Sequence, residues 1–182
     1  MITPDTASKS STTSPTTTTT LPDTEPARPT PAQKREATLD GTFTLRTTVS
    51  KSDNITAPVG KVYTSALKVT GACTEPPCEV KMSLGKSGQT WQFDGRSYRL
   101  HEEFLAGCFA PDGKVLDPKG SFAVQDMTLS PSLVARRDGQ LVVTALRGTG
   151  FLTARPNPAS AACGTSNDIR PVSFDLAATP AS

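Results

Sequence analysis

His101 is where a search for catalytic chemistry begins, because it is the only histidine of the 182-residue chain. With Glu102 and Glu103 it starts like the zinc-protease pattern His-Glu-x-x-His, in which two histidines hold the metal. The second histidine is missing, and as a general base His101 needs a nucleophile within hydrogen-bond distance. We therefore predict that the protein is not an enzyme, and a hydrolase that uses His101 is only the third hypothesis.

Metal and cofactor motifs are incomplete throughout the chain. Gly85-Lys86-Ser87 resembles the end of a phosphate-binding loop, but Val80 stands where that loop needs its first glycine. The cysteines lack the paired Cys-x-x-Cys spacing of structural zinc sites. Four aspartates do not reproduce the spacing of a calcium loop: Asp53, Asp112, Asp126 and Asp138. The sequence predicts neither a metal site nor a cofactor.

The cysteines instead indicate disulfides, since their number is even. Three pairings are possible. Cys73 and Cys78 bracket the short, turn-prone Thr-Glu-Pro-Pro, which favours a bond between them and leaves Cys108 for Cys163. Two disulfides imply an oxidising, extracytoplasmic compartment, whereas four reduced cytosolic thiols are the alternative.

The N-terminus has no export signal of its own, because Met1-Ile2-Thr3-Pro4 offers neither a basic segment nor an apolar core. The sequence also has no transmembrane run. We expect a signal or anchor upstream, so that membrane association occurs only through a segment outside this chain. A formal charge of +2 is too small to indicate nucleic acid as a partner.

Residues 1–38 have the composition of a disordered stalk or linker. They contain twelve threonines and six prolines, while all ten aromatic residues lie between Phe43 and Phe174. Such a segment cannot bury enough apolar surface to offset its ordering entropy. We interpret it as a spacer, the alternative being a merely disordered terminus, and expect deletion of residues 1–38 to leave the melting temperature nearly unchanged.

Residues 39–180 form one all-β domain, because apolar and polar residues alternate repeatedly and no window has sustained helical periodicity. In Thr42–Ser50, Phe43, Leu45 and Val49 share one face. Residues 100–108 are ambiguous between a strand end and a helical turn. Further strands are predicted at 61–70, 79–84, 121–129, 133–137, 141–147, 150–155 and 171–178. About eight to ten strands predict a single antiparallel up-and-down, lipocalin-like barrel or a β-sandwich.

Two Asp-Gly pairs predict hairpin turns, because the glycine supplies a positive φ. One is Asp138-Gly139. The other is Asp94-Gly95, and a two-residue turn there sets Phe93 opposite Arg96 and Trp91 opposite Tyr98.

This second hairpin carries the candidate ligand site. Trp91, Phe93 and Tyr98 are the residues that we expect to make apolar contacts, with Arg96 and Arg99 as polar or anionic anchors. The alternative for each is ordinary core or surface.

The layout resembles a known group of domains. The Thr/Pro-rich stalk is followed by Gly-Thr-Phe-Thr-Leu-Arg-Thr-Thr-Val-Ser and then by Cys-Thr-Glu-Pro-Pro-Cys. Over about residues 40–178 the chain resembles extracytoplasmic β domains of actinobacterial secreted or membrane-tethered proteins, including sensors and kinases. The resemblance implies a location outside the membrane.

The leading hypothesis is a non-catalytic extracytoplasmic binding or sensing module, displayed on its stalk and monomeric. Its ligand, a small apolar molecule, would occupy the barrel mouth or one sheet face. The second hypothesis is a structural or protein-interaction domain of the cell envelope. An enclosed apolar cavity favours the first, whereas a filled interior with an exposed apolar patch favours the second.

Overall fold

The structure is a computed structural model that describes residues 22–53, 57–71, 73, 75–85, 87–110, 114–163 and 171–181. One short helix precedes eight strands. In chain order they are α1 (Pro31–Glu36), β1 (Gly41–Ser52), β2 (Val62–Thr70), β3 (Cys78–Leu84), β4 (Ser87–Phe93), β5 (Tyr98–Phe109), β6 (Val115–Arg137), β7 (Gln140–Pro156) and β8 (Val172–Pro180). The all-β prediction is confirmed.

The eight strands close into one antiparallel barrel. Each strand pairs with the next along the chain, and β8 returns to pair with β1. Of the two predicted architectures, the structure therefore shows the up-and-down barrel and not the sandwich.

The eight strands lie within the predicted range of eight to ten, but two of them are longer than expected. Segments 121–129 and 133–137 belong to the single 23-residue β6, and 141–147 and 150–155 belong to the single 17-residue β7. The interruption at Pro131 is a bulge, where the register with β7 shifts. A bulge bends a strand without ending it, so a break in the alternation does not mark a strand end.

The barrel interior is filled by large apolar side chains. Trp91, Leu67, Leu129 and Leu146 are fully inaccessible to solvent. Every strand contributes to this core through alternate residues, as the period of a strand requires. The largest fully buried side chains also include Phe93, Tyr98, Leu45, Met82, Val49, Val69, Val80 and Pro131.

Residues 22–38, which the sequence assigned to the stalk, lie on the barrel in the structure. Ala27 exchanges two backbone hydrogen bonds with Val134, both 2.8 Å long, and Thr38 bonds to Leu141 and Val143. The predicted boundary at residue 38 therefore differs from the structure. The Thr/Pro-rich composition of this segment did not indicate that a few of its apolar and capping residues would hold it on the barrel.

Helix α1 connects these two contacts. Thr30 caps it, accepting a hydrogen bond from the Gln33 backbone N–H, while the Gln33 side chain accepts one from the Thr30 N–H. This reciprocal capping box, with Pro31 in the first turn, fixes the helix start despite its length of six residues. The chain that leaves the helix buries Ala37 and Leu39 in the core.

The two predicted hairpin turns have different outcomes. Asp138-Gly139 is confirmed as a two-residue turn, with φ of 49° and 79° and Arg137 paired with Gln140. At Asp94-Gly95 the predicted register is wrong, because Phe93 pairs with Tyr98 across a four-residue connection. The Asp94 carboxylate accepts hydrogen bonds from the backbone N–H groups of Arg96 and Ser97, and these bonds stabilise the longer turn.

Both predicted disulfides are confirmed, Cys73–Cys78 and Cys108–Cys163. The second encloses the longer loop, with a sequence separation of 55 residues. Two disulfides indicate an oxidising, extracytoplasmic environment. Within the described residues, no helix has the length and apolar character that a membrane span requires.

Candidate binding surface

The three predicted apolar ligand contacts lie inside the barrel. Trp91, Phe93 and Tyr98 are at most 2% exposed, and the Phe93 and Tyr98 rings stack with centroids 4.3 Å apart. Burial raises the pKa of the Tyr98 hydroxyl. Their surroundings are those of a packed core.

The two predicted anchors lie on the outside. Arg96 and Arg99 are exposed, and Arg99 forms an ion pair with Asp94 at 3.1 Å. Hydrogen bonds from the Ser97 and Arg96 backbone lower the pKa of Asp94, and both arginines add to the effect. The barrel wall therefore separates the arginines from the aromatic residues, and the five predicted residues do not converge on one site.

His101 lies on the outer face of β5 opposite Asp126 of β6. Its Nδ1 is 2.7 Å from Asp126 Oδ1, and both side chains are more than half exposed. The hydrogen bond with Asp126 raises the pKa of His101, because the carboxylate favours the imidazolium. Among the described residues, this carboxylate is the hydrogen-bond partner of the ring.

A shallow groove of about 340 Å³ lies beside Asp126 on the outer face of the barrel. Half of its eight lining residues carry hydroxyl groups, and the exposed ring of Phe151 lies among them. The hydroxyl residues are Ser50, Thr128, Thr149 and Ser173.

Polar side chains line the inner face of the barrel next to Trp91. Gln89 donates a 2.6 Å hydrogen bond to Glu102, which stands opposite Gln125 in the β5–β6 ladder. Gln89 Oε1 and Trp91 Nε1 are buried without a hydrogen-bond partner in the described part of the chain. Leaving such groups unpaired costs free energy, so a water or a ligand atom that forms a hydrogen bond with them is stabilised most.

Most of the exposed large hydrophobic side chains in the described residues lie on a part of the sheet that we call the distal arm, residues 104–109 of β5 and 115–122 of β6. It holds five of the nine large hydrophobic side chains that are exposed in the described residues. These are Phe104 (38% exposed), Leu105 (45%), Phe109 (52%), Val115 (56%) and Leu116 (46%). Phe122 extends the surface beside Leu105, with the Arg155 guanidinium over its ring at 5.4 Å.

The distal arm is braced covalently and by hydrogen bonds. Cys108 is bonded to Cys163, and the Ser160 hydroxyl donates to Asp117 at 2.6 Å. This hydrogen bond lowers the pKa of Asp117. The Asn157 N–H also donates to the Gly120 carbonyl. Three contacts therefore tie the distal arm to residues 157–163.

One backbone edge of the distal arm has no strand partner among the described residues. Strand β4 pairs with β5 only at Gln92–Arg99 and Phe93–Tyr98, whereas β3 and β4 share seven pairs. From His101 to Phe109, β5 pairs with β6 alone. A strand paired on one side directs alternate N–H and C=O groups outwards, where another strand can bind them.

Comparison with known proteins adds no functional information. No family model, no curated protein and no solved structure matches the chain. In the described residues, no group of three or more His, Cys, Asp or Glu side chains is placed to hold a metal ion.

Sequence reasoning missed the distal arm, although two dipeptides carried a signal. Phe104-Leu105 and Val115-Leu116 place apolar residues at consecutive positions of strands. Because successive side chains point to opposite faces, such a pair puts one apolar residue on each side of a sheet. Both members of each pair are exposed in the structure, so the arm carries apolar side chains on both of its faces.

Proposed function

We propose that this domain is a non-catalytic interaction module of the extracytoplasmic space, and that its binding surface is the distal arm. The observation that carries the proposal is the collection of exposed apolar side chains on one braced hairpin. Contiguous apolar patches on a folded domain are typical of interaction sites.

The filled interior supports protein binding over capture of a small apolar ligand. The three aromatic residues predicted to contact such a ligand pack against one another and against the rest of the core. An apolar ligand of useful size would have to displace them. A patch on the outer surface binds a partner without disturbing the barrel.

The N-terminal stalk and the resemblance to tethered actinobacterial domains support the location of this module. In the proposed arrangement, an upstream anchor fixes the chain to the cell surface and residues 1–21 form the spacer. The segment from residue 22 onwards is part of the folded unit. The domain then presents the distal arm to other proteins of the envelope.

Site-specific photocross-linking in the natural host tests this proposal. A benzophenone side chain replaces Phe109, and the matched control replaces Thr44, which is exposed on β1. We expect adducts from position 109 that are lost when Leu105→Lys is added, and none from position 44. Equal adducts from both positions, or none from position 109, would contradict the proposal.

A small polar ligand inside the barrel is a second candidate, favoured by the unpaired Trp91 Nε1 and Gln89 Oε1. Such a ligand would accept a hydrogen bond from the indole and donate one to the amide. Titration of carboxamide compounds against Trp91 fluorescence tests it, because Trp91 is the only tryptophan. A response that Gln89→Leu abolishes would support this candidate, and an unchanged spectrum would exclude the compounds tested.

A further inference from the structure

We propose that the free edge of β5 pairs antiparallel with the same edge of a second copy of this chain. The two-fold axis lies near Leu105 and joins the two barrels into one continuous sheet. This inference rests on the proposed function and names the partner.

The molecule covers two of its other overhanging edges with its own chain. Past Leu129, β6 runs beyond its last pair with β5, and Ala27 pairs with it at Val134. The Thr24 N–H donates to the Arg136 carbonyl on the same edge. Thr38 pairs with Val142 on the overhanging part of β7. Unpaired edges attract other strands, and native proteins normally protect them.

The β5 edge receives no such cover from the described residues. Over His101–Phe109 its ladder partner is β6 alone, and β4 reaches it there through the hydrogen bond from the Gln89 side chain to Glu102. The side chains along it are Phe104, Leu105 and Phe109, each more than a third exposed. An edge that offers backbone hydrogen bonds together with apolar side chains has the properties of a strand-addition site.

This edge is complementary to itself. With the axis at Leu105, antiparallel pairing sets His101 opposite Phe109 of the other copy. Glu103 stands opposite Gly107, and Phe104 opposite Ala106. No two carboxylates face each other, so the pairing avoids the repulsion that like charges cause across strands.

A second copy also accounts for the number of exposed apolar residues. In a two-fold interface each copy presents the same patch, so the side chains of both arms are buried by one contact. The interface closes on itself and leaves no free β5 edge. A strand of another protein would cover the edge but leave its own second edge open.

Sedimentation equilibrium of the full chain under non-reducing conditions tests this inference. We expect a concentration-dependent species of twice the 19.1 kDa chain mass. Leu105→Lys should raise the dimer dissociation constant about a hundredfold, because both copies lose the contact and each tenfold step corresponds to about 1.4 kcal/mol. The matched control is Phe151→Lys, which changes an exposed ring on β7 away from the edge and should leave the constant unchanged.

The pairing register is tested by a single cysteine, since all four natural cysteines are in disulfides. Leu105→Cys should form an intermolecular disulfide under mild oxidation, whereas Thr44→Cys should not. Circular dichroism and melting of each variant establish that it is folded, and both positions are exposed, so folding is expected.

Three results would overturn the inference: a wild-type monomer at every soluble concentration, equal dissociation by Phe151→Lys, or cross-linking from position 44. A monomer that sediments with phosphatidylglycerol–phosphatidylcholine vesicles would assign the arm to a lipid surface instead. Adducts from position 109 with a different protein, but no dimer, would leave the proposed function standing and remove self-pairing. If the chain forms no dimer and position 109 gives no adducts, both this inference and the proposed function are wrong.

Discussion

At the residue scale, individual contacts fix positions that the sequence left open. The single histidine is an example, because its partner Asp126 lies 25 residues away and is brought close only by the β5–β6 register. Residue types alone gave His101 no partner. The same holds for Asp94, whose side chain selects a four-residue connection where the Asp-Gly pair predicted a tighter turn.

The first prediction concerns the pH dependence of His101. The hydrogen bond with Asp126 raises its folded-state pKa above the ordinary value of about 6.5. The resulting stabilisation is fully present below the unfolded pKa and is lost as pH rises through the folded pKa. We expect Asp126→Asn to lower the pKa measured by NMR titration, and to lower the melting temperature slightly at acidic pH only. An unchanged titration curve would show that the pair does not form in solution.

The second prediction concerns Gly148, which stands opposite Leu129 in the β6–β7 ladder. A Cβ at this position would lie 1.7 Å from the Thr128 carbonyl oxygen, and backbone cannot move aside easily. We expect Gly148→Ala to destabilise the protein by about 3 kcal/mol in urea unfolding. Gly88→Ala is the control, because its Cβ would have no neighbour within 4 Å. Equal stabilities of the two variants would contradict the packing described at this position.

At the element scale, the strands follow from alternation, but their ends and neighbours do not. The period of Phe43, Leu45 and Val49 was sufficient to predict β1. It did not reveal that β6 continues through Pro131, because a bulge interrupts the period without ending the strand. The contacts of residues 22–38 also escaped prediction, since backbone hydrogen bonds such as that between Ala27 and Val134 have no composition signal.

The third prediction concerns this N-terminal segment. Leu39 is 5% exposed within the core, so Leu39→Ala should cost about 2–4 kcal/mol in denaturant unfolding. Val59→Ala, at a side chain that is 62% exposed, should change stability by less than about 0.5 kcal/mol. We also now expect deletion of residues 1–38 to lower the melting temperature clearly. An unchanged melting temperature would mean that residues 22–38 add no stability to the barrel and belong to the stalk.

The fourth prediction compares the two disulfides. Mass spectrometry of the non-reduced protein should find Cys73 linked to Cys78 and Cys108 linked to Cys163. Because the loops close over separations of 5 and 55 residues, removing the first bond should cost about 2 kcal/mol and the second about 4 kcal/mol by loop entropy. Paired Cys→Ser variants in urea unfolding measure the difference. A larger loss for the short loop would show that loop entropy does not dominate.

At the scale of the whole molecule, the fold class and both disulfides were predictable, whereas the binding surface was not. The aromatic residues Trp91, Phe93 and Tyr98 looked equally suited to a ligand and to a core, and only burial distinguishes the two. The distal arm depends on the mismatch between a short β4 and a long β5, which is a property of pairing. Exposure of Leu105 and Phe109 follows from that mismatch.

In the part of the chain that the structure describes, a closed, filled barrel is combined with an open β5 edge. The N-terminal segment covers the overhanging parts of β6 and β7, whereas the open β5 edge belongs to an exposed apolar arm braced by Cys108–Cys163. In the proposed arrangement, the stalk leaves from the N-terminal segment and the arm remains accessible.

Amide NMR spectra of the full chain over a dilution series test the central claim most directly. We predict concentration-dependent shifts confined to residues 101–109 of β5 and to neighbouring residues of β6, and their loss in Leu105→Lys. Shifts elsewhere on the barrel, or shifts that persist in Leu105→Lys, would contradict the assignment of the distal arm as the binding surface.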